Sequence, residues 1–354
     1  METYSVELAA ALESHFEVTR LVLPGRKSGR TPSLFGYGVF LLKAMLYGLI
    51  YSRKFTHLVL GDLVLFPVAL CCRLANPGQR RTVIVYGLDL VYGQRKGLLP
   101  RVYAVYFTLF RACRRLFLDI VAISGYTAQL AIEVGLAPVR VVTPALPQSQ
   151  LTATVTATTP LPKAFARAHK RVLQFGRLVP RKGALWFAQN VVPLLPDDVE
   201  FFVVGSAHGY CQLDELTRCA RTHYLGPMPT NDLATLIRSA DAVVMPNVSS
   251  PDGTRDVEGF GLVAIETSSI GGLLIASRLQ GITDALQDGV TGLLVEAGNT
   301  SAWRDAVCCL LDETPAQLTA RRAIAAVRTR DHYSRKRMGD AFASLLLKKA
   351  LSSK

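Results

Sequence analysis

Short apolar runs that end in glycine or polar turns alternate with helical segments along this chain, and the alternation occurs twice. In the first half Thr56–Leu60, Arg81–Tyr86, Asp119–Ser124 and Val139–Thr143 read as buried strands, with helices from Gly61-Asp62 through Leu74, from Pro100 onward and over Tyr126–Val134. A strand parallel to its predecessor is reached only by a crossover of a dozen or more residues, so this rhythm specifies a doubly wound parallel sheet. Residues 148–163, rich in Gln, Ser, Thr and Pro, read as a linker. The pattern then restarts, with strands at Arg171–Phe175, Glu200–Val204, His223–Leu225, Asp241–Met245, Leu273–Ala276 and the two pieces Gly289–Gly292 and Leu293–Val295. At 354 residues the chain exceeds one hydrophobic core. The expected division is a domain over 1–150, a second over 165–330, and a last amphipathic segment over 331–354.

The two most apolar helical runs, Val39–Tyr51 and Leu63–Leu74, are too short or too interrupted by Lys43 and Gly48 to span a bilayer, and both read as core helices. The start, Met1–His15, reads as an amphipathic helix, and Phe16–Leu23 alternates like a strand. An α/β domain ordinarily opens on a strand, so a first strand is expected to be missing here, either because the native start lies upstream or because the protein has dropped that strand. No secretory signal is expected from this start. Seven cysteines in no metal or C-x-x-C spacing suit a reduced cytoplasm.

The net charge is +13, and residues 1–150 carry 17 Lys and Arg against 8 Asp and Glu. Such a surface favours anionic partners. No nucleic-acid motif accompanies it, so nucleic acid is not an expected partner. Between Gln94 and Leu118 arginines alternate with Tyr103, Tyr106, Phe107, Phe110 and Phe117. Two readings of that helix stay open: a headgroup-layer contact with an anionic membrane, or a core helix with a solvated basic face.

Two stretches of the second half carry candidate chemistry. Asp256–Thr267 reads D-V-E-G-F-G-L-V-A-I-E-T. If a helix starts near Gly261 or Leu262, Glu258 lies in the loop before it and Glu266 more than a turn inside. The first-turn N–H groups and the helix dipole then favour an anion between two carboxylates able to accept hydroxyl hydrogen bonds. Gly176–Gly183 reads G-R-L-V-P-R-K-G, three cations on a strand-to-helix turn, where ligands of such sheets gather. Arg177 and Lys182 are the expected diphosphate partners, one a fork and one a point charge. A diphosphate flanked by hydroxyl-bearing groups describes a sugar nucleotide.

Together G-R-L-V-P-R-K-G, E-G-F-G-L-V-A-I-E, H-L-V-L-G-D, V-I-V-Y-G-L-D-L-V-Y, S-A-D-A-V-V-M-P-N and Q-G-I-T-D-A-L-Q-D-G-V-T-G-L-L-V resemble the retaining GT-B glycosyltransferases of family 4, over nearly the whole chain. The resemblance implies an α/β fold of two doubly wound Rossmann-like domains facing across a cleft. It makes 1–150 the acceptor-side domain, 165–330 the nucleotide-sugar domain, and 331–354 a helix packed back on the first domain. It implies hexosyl transfer with retention from a UDP- or GDP-sugar to a hydroxyl of a glycan or lipid-linked acceptor, in cell-envelope or exopolysaccharide biosynthesis. No metal or other cofactor is expected, and the location is cytoplasmic, peripheral at the inner face of the plasma membrane. Arg177 and Lys182 would hold the diphosphate, Glu266 the ribose and Glu258 the sugar, making Glu258, Arg177 and Lys182 catalytic. Gly176, Gly259, Phe260, Gly261, Leu262 and Val263 would line the donor. Most relatives have His-Gly where this chain has Tyr86-Gly87. That departure leaves a second expectation open: a non-catalytic sugar-nucleotide-binding or scaffolding relative.

Overall fold

The computed structural model describes residues 2–23, 33–116, 119–148, 161–249 and 256–347. The basic loop Gly25–Thr31 and most of the expected linker lie outside them. The chain divides into two compact units, Met1–Ala145 with Arg335–Lys354, and Leu146–Ser334.

The first unit runs α1 (Glu2–Leu12), α2 (Leu34–Tyr51), β1 (His57–Leu60), α3 (Phe66–Ala75), β2 (Arg80–Val85), α4 (Leu88–Val91), α5 (Leu98–Ala112), β3 (Asp119–Ala122), α6 (Gly125–Glu133) and β4 (Val139–Val141). Its sheet is wholly parallel in the order β1-β2-β3-β4. Strands adjacent in sequence are adjacent in space, so right-handed crossovers put α3, α5 and α6 on one face. Ser33 caps α2 by accepting the Gly36 N–H, and Ser124 caps α6 by accepting that of Thr127. α2 joins the layer by packing on α3 at Gly48, where a Cβ would stand 2.7 Å from Cys72 Sγ.

α1 packs on the tail helix, Arg335–Leu347, so closely that a Cβ on Gly339 would lie 2.8 Å from the Ala11 carbonyl. Arg335 donates from Nε (3.0 Å) and Nη2 (2.6 Å) to Glu7 Oε2, and the Glu7 side chain is buried. Tyr4 donates to the Val142 carbonyl at 3.0 Å, fastening α1 to the sheet's end.

Three expectations are corrected. Phe16–Leu23 is not a strand: residues 17–23 have no regular structure and no ladder partner among the described residues, and Leu21 and Val22 face solvent. Alternation suits a strand, but only a neighbour's backbone makes one. Gly289–Gly292 is a turn with one isolated bridge, Asp288 to Gly292, because Gly289 has φ +74°. Finally, α2 is not a core helix. Only 17% of its most apolar window is buried, since α3 covers one side of it and nothing described covers the other. The segment Phe35–Lys54, with mean hydropathy 1.3, is long and apolar enough to cross a membrane by length and composition.

The second unit runs α7 (Lys163–Arg167), β5 (Lys170–Phe175), α8 (Ala184–Asn190), β6 (Val199–Val204), α9 (Leu213–Arg218), β7 (Thr222–Gly226), α10 (Thr230–Ser239), β8 (Ala242–Met245), α11 (Leu262–Ser269), β9 (Leu274–Ser277), α12 (Ile282–Ala285), β10 (Leu293–Val295), α13 (Thr300–Leu311) and α14 (Pro315–His332). The parallel order is β10-β9-β8-β5-β6-β7. The strands hold near-continuous apolar runs because both faces are covered. On one face Phe187 packs against Phe201 at 4.9 Å and Trp303 at 5.7 Å between ring centroids. From β5 the chain winds outward to β6 and β7, then returns to β8 on the other side of β5. The switch point therefore lies between β5 and β8.

The Glu7–Arg335 pair is unequally buried, which gives a directional prediction. Arg335→Ala takes two guanidinium donors from a buried carboxylate and is expected to cost about 2–4 kcal/mol, against about 1 kcal/mol for Glu7→Gln, which leaves a partly solvated guanidinium. Urea unfolding of the two variants measures the order, and equal costs contradict it.

Candidate functional site

The loops after β5 and β8 meet at this switch point, where doubly wound sheets take their ligands. Gly176 leaves β5 with φ +117°, and a Cβ on Gly205 would come within 1.9 Å of the Gly176 carbonyl. A 3-10 turn, Pro180–Lys182, ends at Gly183 with φ +70°, and a Cβ there would lie 1.9 Å from the Pro246 carbonyl. Only glycine permits that approach of the β5 loop to the β8 loop. The Val248 N–H then donates to the Arg181 carbonyl at 2.9 Å, and Gln174 Nε2 to the Lys182 carbonyl at 2.9 Å.

This contact brings cations of one loop against the carboxylate of the other. Lys182 Nζ lies 3.1 Å and Arg181 Nη1 2.5 Å from Glu258 Oε2, and Arg181 Nε lies 3.2 Å from Asp256 Oδ2. Asn247 Nδ2 is 3.4 Å from the same Glu258 oxygen. The Glu258 N–H donates to Gln280 Oε1 at 2.6 Å, and its carbonyl accepts from Gly281. Burial alone would raise the Glu258 carboxyl, but Lys182 and Arg181 outweigh it and hold the group at about 2.

Gly261, with φ +96°, starts α11; the Ala264 N–H donates to the Gly261 carbonyl at 2.8 Å, and the N–H groups of Leu262 and Val263 precede the helix's own hydrogen-bond ladder. Glu258 precedes that start and Glu266 lies on the second turn. The Glu266 carboxylate makes no hydrogen bond or ion pair among the described residues. Burial raises its pKa, and the charge of Lys182 acts against that rise. Phe260 is buried edge-on against Tyr333 at 5.6 Å, so its ring holds the loop in place. The Gly259 carbonyl is pressed on Gly281, where a Cβ would approach to 2.2 Å. Leu262 and Val263 are half-buried, with Val263 lying 3.7 Å from where a Cβ on Gly176 would be.

Of the expected site residues, the structure joins Lys182 to Glu258 and puts Glu266 within reach of the Lys182 charge. Arg177 is exposed and makes no ion pair among the described residues. Sequence reasoning passed over Arg181, Asn247 and Gln280. Arg181 stood in the same run of three cations, whereas Asn247 and Gln280 had no chemical signal.

Tyr86 and Gly87 lie in the first unit, at the end of β2. Their N–H groups donate to the Asp89 carboxylate at 2.8 to 3.1 Å. The buried Tyr86 ring stands edge-on to Tyr4 at 5.7 Å, with its hydroxyl 3.2 Å from Ser5 Oγ. Burial raises the Tyr86 phenol against that hydrogen bond. Burial, then the charge of Asp62, push Asp89 up to about 7 although the amides pull it down.

The two carboxyls predict opposite pH behaviour. Glu258, depressed on folding, contributes stability that is complete above about pH 4.5 and lost as pH falls through about 2. Glu258→Gln is expected to cost on the order of 2–3 kcal/mol near neutrality and close to nothing near pH 2. Asp89, raised on folding, binds a proton that the unfolded chain has released, so stability falls as pH rises from about 4 to about 7. Asp89→Asn is expected to flatten that fall. Urea midpoints of both variants over this range check the two signs.

Two loops carrying opposite charges at the switch point of a doubly wound unit define a class of ligand-binding α/β domain, and known proteins resemble it. Residues 169–313 match the family Glycosyl transferases group 1. The matched stretch lies within the second unit. A D-inositol 3-phosphate glycosyltransferase of Corynebacterium glutamicum is 34% identical over 158 residues, 41% of this chain and 36% of that protein. One of the same name from Mycobacterium tuberculosis is 41% identical over 109 residues, 30% of this chain and 21% of that protein. The chain thus spans about a third or less of the curated relatives it matches. The structure of Anabaena HepE in complex with UDP and glucose aligns at TM-score 0.63 with 17% identity, covering 89% of this chain and 83% of that one. Sucrose-phosphate synthase from Thermosynechococcus elongatus aligns at 0.69 with 16% identity, covering 97% and 91%. The fold is the GT-B fold.

Proposed function

We propose that the second unit binds a UDP- or GDP-sugar at the β5–β8 switch point. In this reading the protein transfers the sugar, with retention, to a hydroxyl of a glycan or lipid-linked acceptor, as a cytoplasmic step of cell-envelope or exopolysaccharide assembly. The observation that carries this reading is the apposition of Lys182 and Arg181 to Glu258 beside the start of α11. The Anabaena neighbour in complex with UDP and glucose, on the same fold, supports the nucleotide-sugar class of donor.

Donor diphosphate competes with Glu258 for the Lys182 ammonium. Arg177, which makes no ion pair among the described residues, closes on the same anion, and the α11 amides face it. Glu258, relieved of part of its cationic load, accepts from sugar hydroxyls, and Glu266 from the ribose. In transfer, the bond from the anomeric carbon to the diphosphate oxygen breaks and its electron pair stays on that oxygen. The acceptor hydroxyl bonds to the same face of the sugar and gives its proton to the departing phosphate. Cations and amides fixed before the reaction oppose the charge as it grows, the largest catalytic contribution in many such sites. The proposal needs no metal, so a chelator is expected to leave the rate unchanged.

UDP-glucose, UDP-N-acetylglucosamine and GDP-mannose, each in thermal-shift and turnover assays, test this reading. One of them is expected to raise the unfolding midpoint by mass action and to turn over. Arg177→Ala or Glu266→Ala is expected to weaken that donor roughly tenfold or more, as loss of a charged hydrogen bond does. A folded protein that binds none of a broad panel contradicts it.

The burial of Tyr86 favours a second reading, donor binding without turnover. A phenol held on Ser5 with its pKa raised offers no base or acid near neutral pH. Midpoint shifts with no product, and turnover appearing in Tyr86→His, would select it.

A further inference from the structure

The first unit carries an outer face that the transfer reading does not use. On α2, Phe35, Leu42, Leu46 and Ile50 are 57 to 82% exposed, and their spacing of seven and four residues aligns them in one stripe. On α5, Leu98, Val102, Val105 and Leu109, spaced four, three and four, are 56 to 76% exposed. Both helices belong to one layer. α2 packs on α3 at Gly48, and α5 reaches α3 through Tyr106 and Phe110, whose rings lie 4.7 and 5.8 Å from Phe66. Two large apolar stripes on helices that both pack on α3 exceed the scattered exposure of an ordinary soluble surface.

The charge around these stripes has one sign. From Val18 to Gly61 the chain has seven Lys and Arg and no Asp or Glu, and from Leu90 to Leu118 it has six and none. Exposed Lys43, Arg53 and Lys54 accompany α2, and exposed Arg101 and Arg111 accompany α5. Apolar stripes with exposed cations and no acid on their own helices match the acyl layer and phosphate headgroups of an anionic bilayer. A second copy of this face would set cation against cation.

We propose that α2 and α5 lie in the surface of an anionic membrane, with their stripes in the acyl boundary and their cations among lipid phosphates. α2 lies along the membrane and does not cross it. Its Ala44 and Gly48 side is held against α3, and Lys43 sits exposed halfway along its length. Tyr47, Tyr51 and Phe55 form a chain of rings at its end, with Lys54 over Tyr51 at 5.2 Å, an aromatic–cation group suited to the headgroup level.

The test is flotation of the full chain with phosphatidylcholine vesicles, with and without about 30 mole percent phosphatidylglycerol. It reads lipid binding alone, so its outcome is independent of sugar transfer. The chain is expected to float with the anionic vesicles and to be released in part by salt, and alkaline carbonate is expected to remove it completely. Leu42→Glu with Leu46→Glu is expected to lower the bound fraction roughly tenfold or more, and Arg101→Glu to lower it severalfold on anionic vesicles only. Unchanged circular dichroism and thermal midpoint show that these surface variants fold. A chain that floats with neither vesicle overturns the proposal. So does retention through carbonate, which makes α2 a span, or a dimer in light scattering that the leucine variants dissociate.

Discussion

The second unit depends on one electrostatic arrangement, the pairing of Lys182 and Arg181 with Glu258 across two loops. Three half-buried charges in one place are tolerable only because each finds its opposite within about 3 Å and polar side chains fill the remaining positions. The sheet makes the meeting possible. β5 and β8 are neighbours with 66 residues of chain between Phe175 and Ala242, so their loops converge from distant sequence. Gly183 against Pro246 and Gly281 against Gly259 set how closely the loops approach.

Such a cluster is stable without ligand and remains able to exchange a partner. In the proposed reading a diphosphate offers Lys182 a doubly charged replacement for Glu258, and the carboxylate released from Lys182 becomes an acceptor for hydroxyls. Glu266 already stands without a partner among the described residues, raised by burial and facing the same ammonium. On that proposal, ground-state pairing and donor binding draw on the same few charges. The first unit differs in kind. Its polar cluster, Asp89 with the Tyr86 and Gly87 amides, is closed on itself, and its excess charge lies on its outer helices.

Much of the fold was legible because parallel strands covered on both faces are continuous apolar runs ending in turns. Arg80–Val85 and Val199–Val204 show this within a residue of their expected limits. What depends on partners was not legible. Phe16–Leu23 has a strand's alternation, and no neighbour among the described residues pairs with it. The α2 sequence is apolar on nearly every side, so periodicity could not tell that Ala44 and Gly48 face inward while Phe35 and Leu42 face out. In the site, the carboxylates and the cation loop could be read from residue type and position relative to strand ends. Which of three cations meets Glu258 could not. The 3-10 turn at Pro180 directs Arg181 and Lys182 toward the β8 loop and leaves Arg177 outside.

The most direct test of the central claim is calorimetric titration with UDP, UMP and uridine, and with the guanosine series, on wild type and Lys182→Ala. If the cluster at the switch point holds the diphosphate, one diphosphate binds at least about a hundredfold more tightly than its nucleoside, and Lys182→Ala removes most of that difference while leaving the nucleoside's affinity intact. A nucleoside that binds as tightly as its diphosphate, or a Lys182→Ala protein that keeps the full difference, contradicts it.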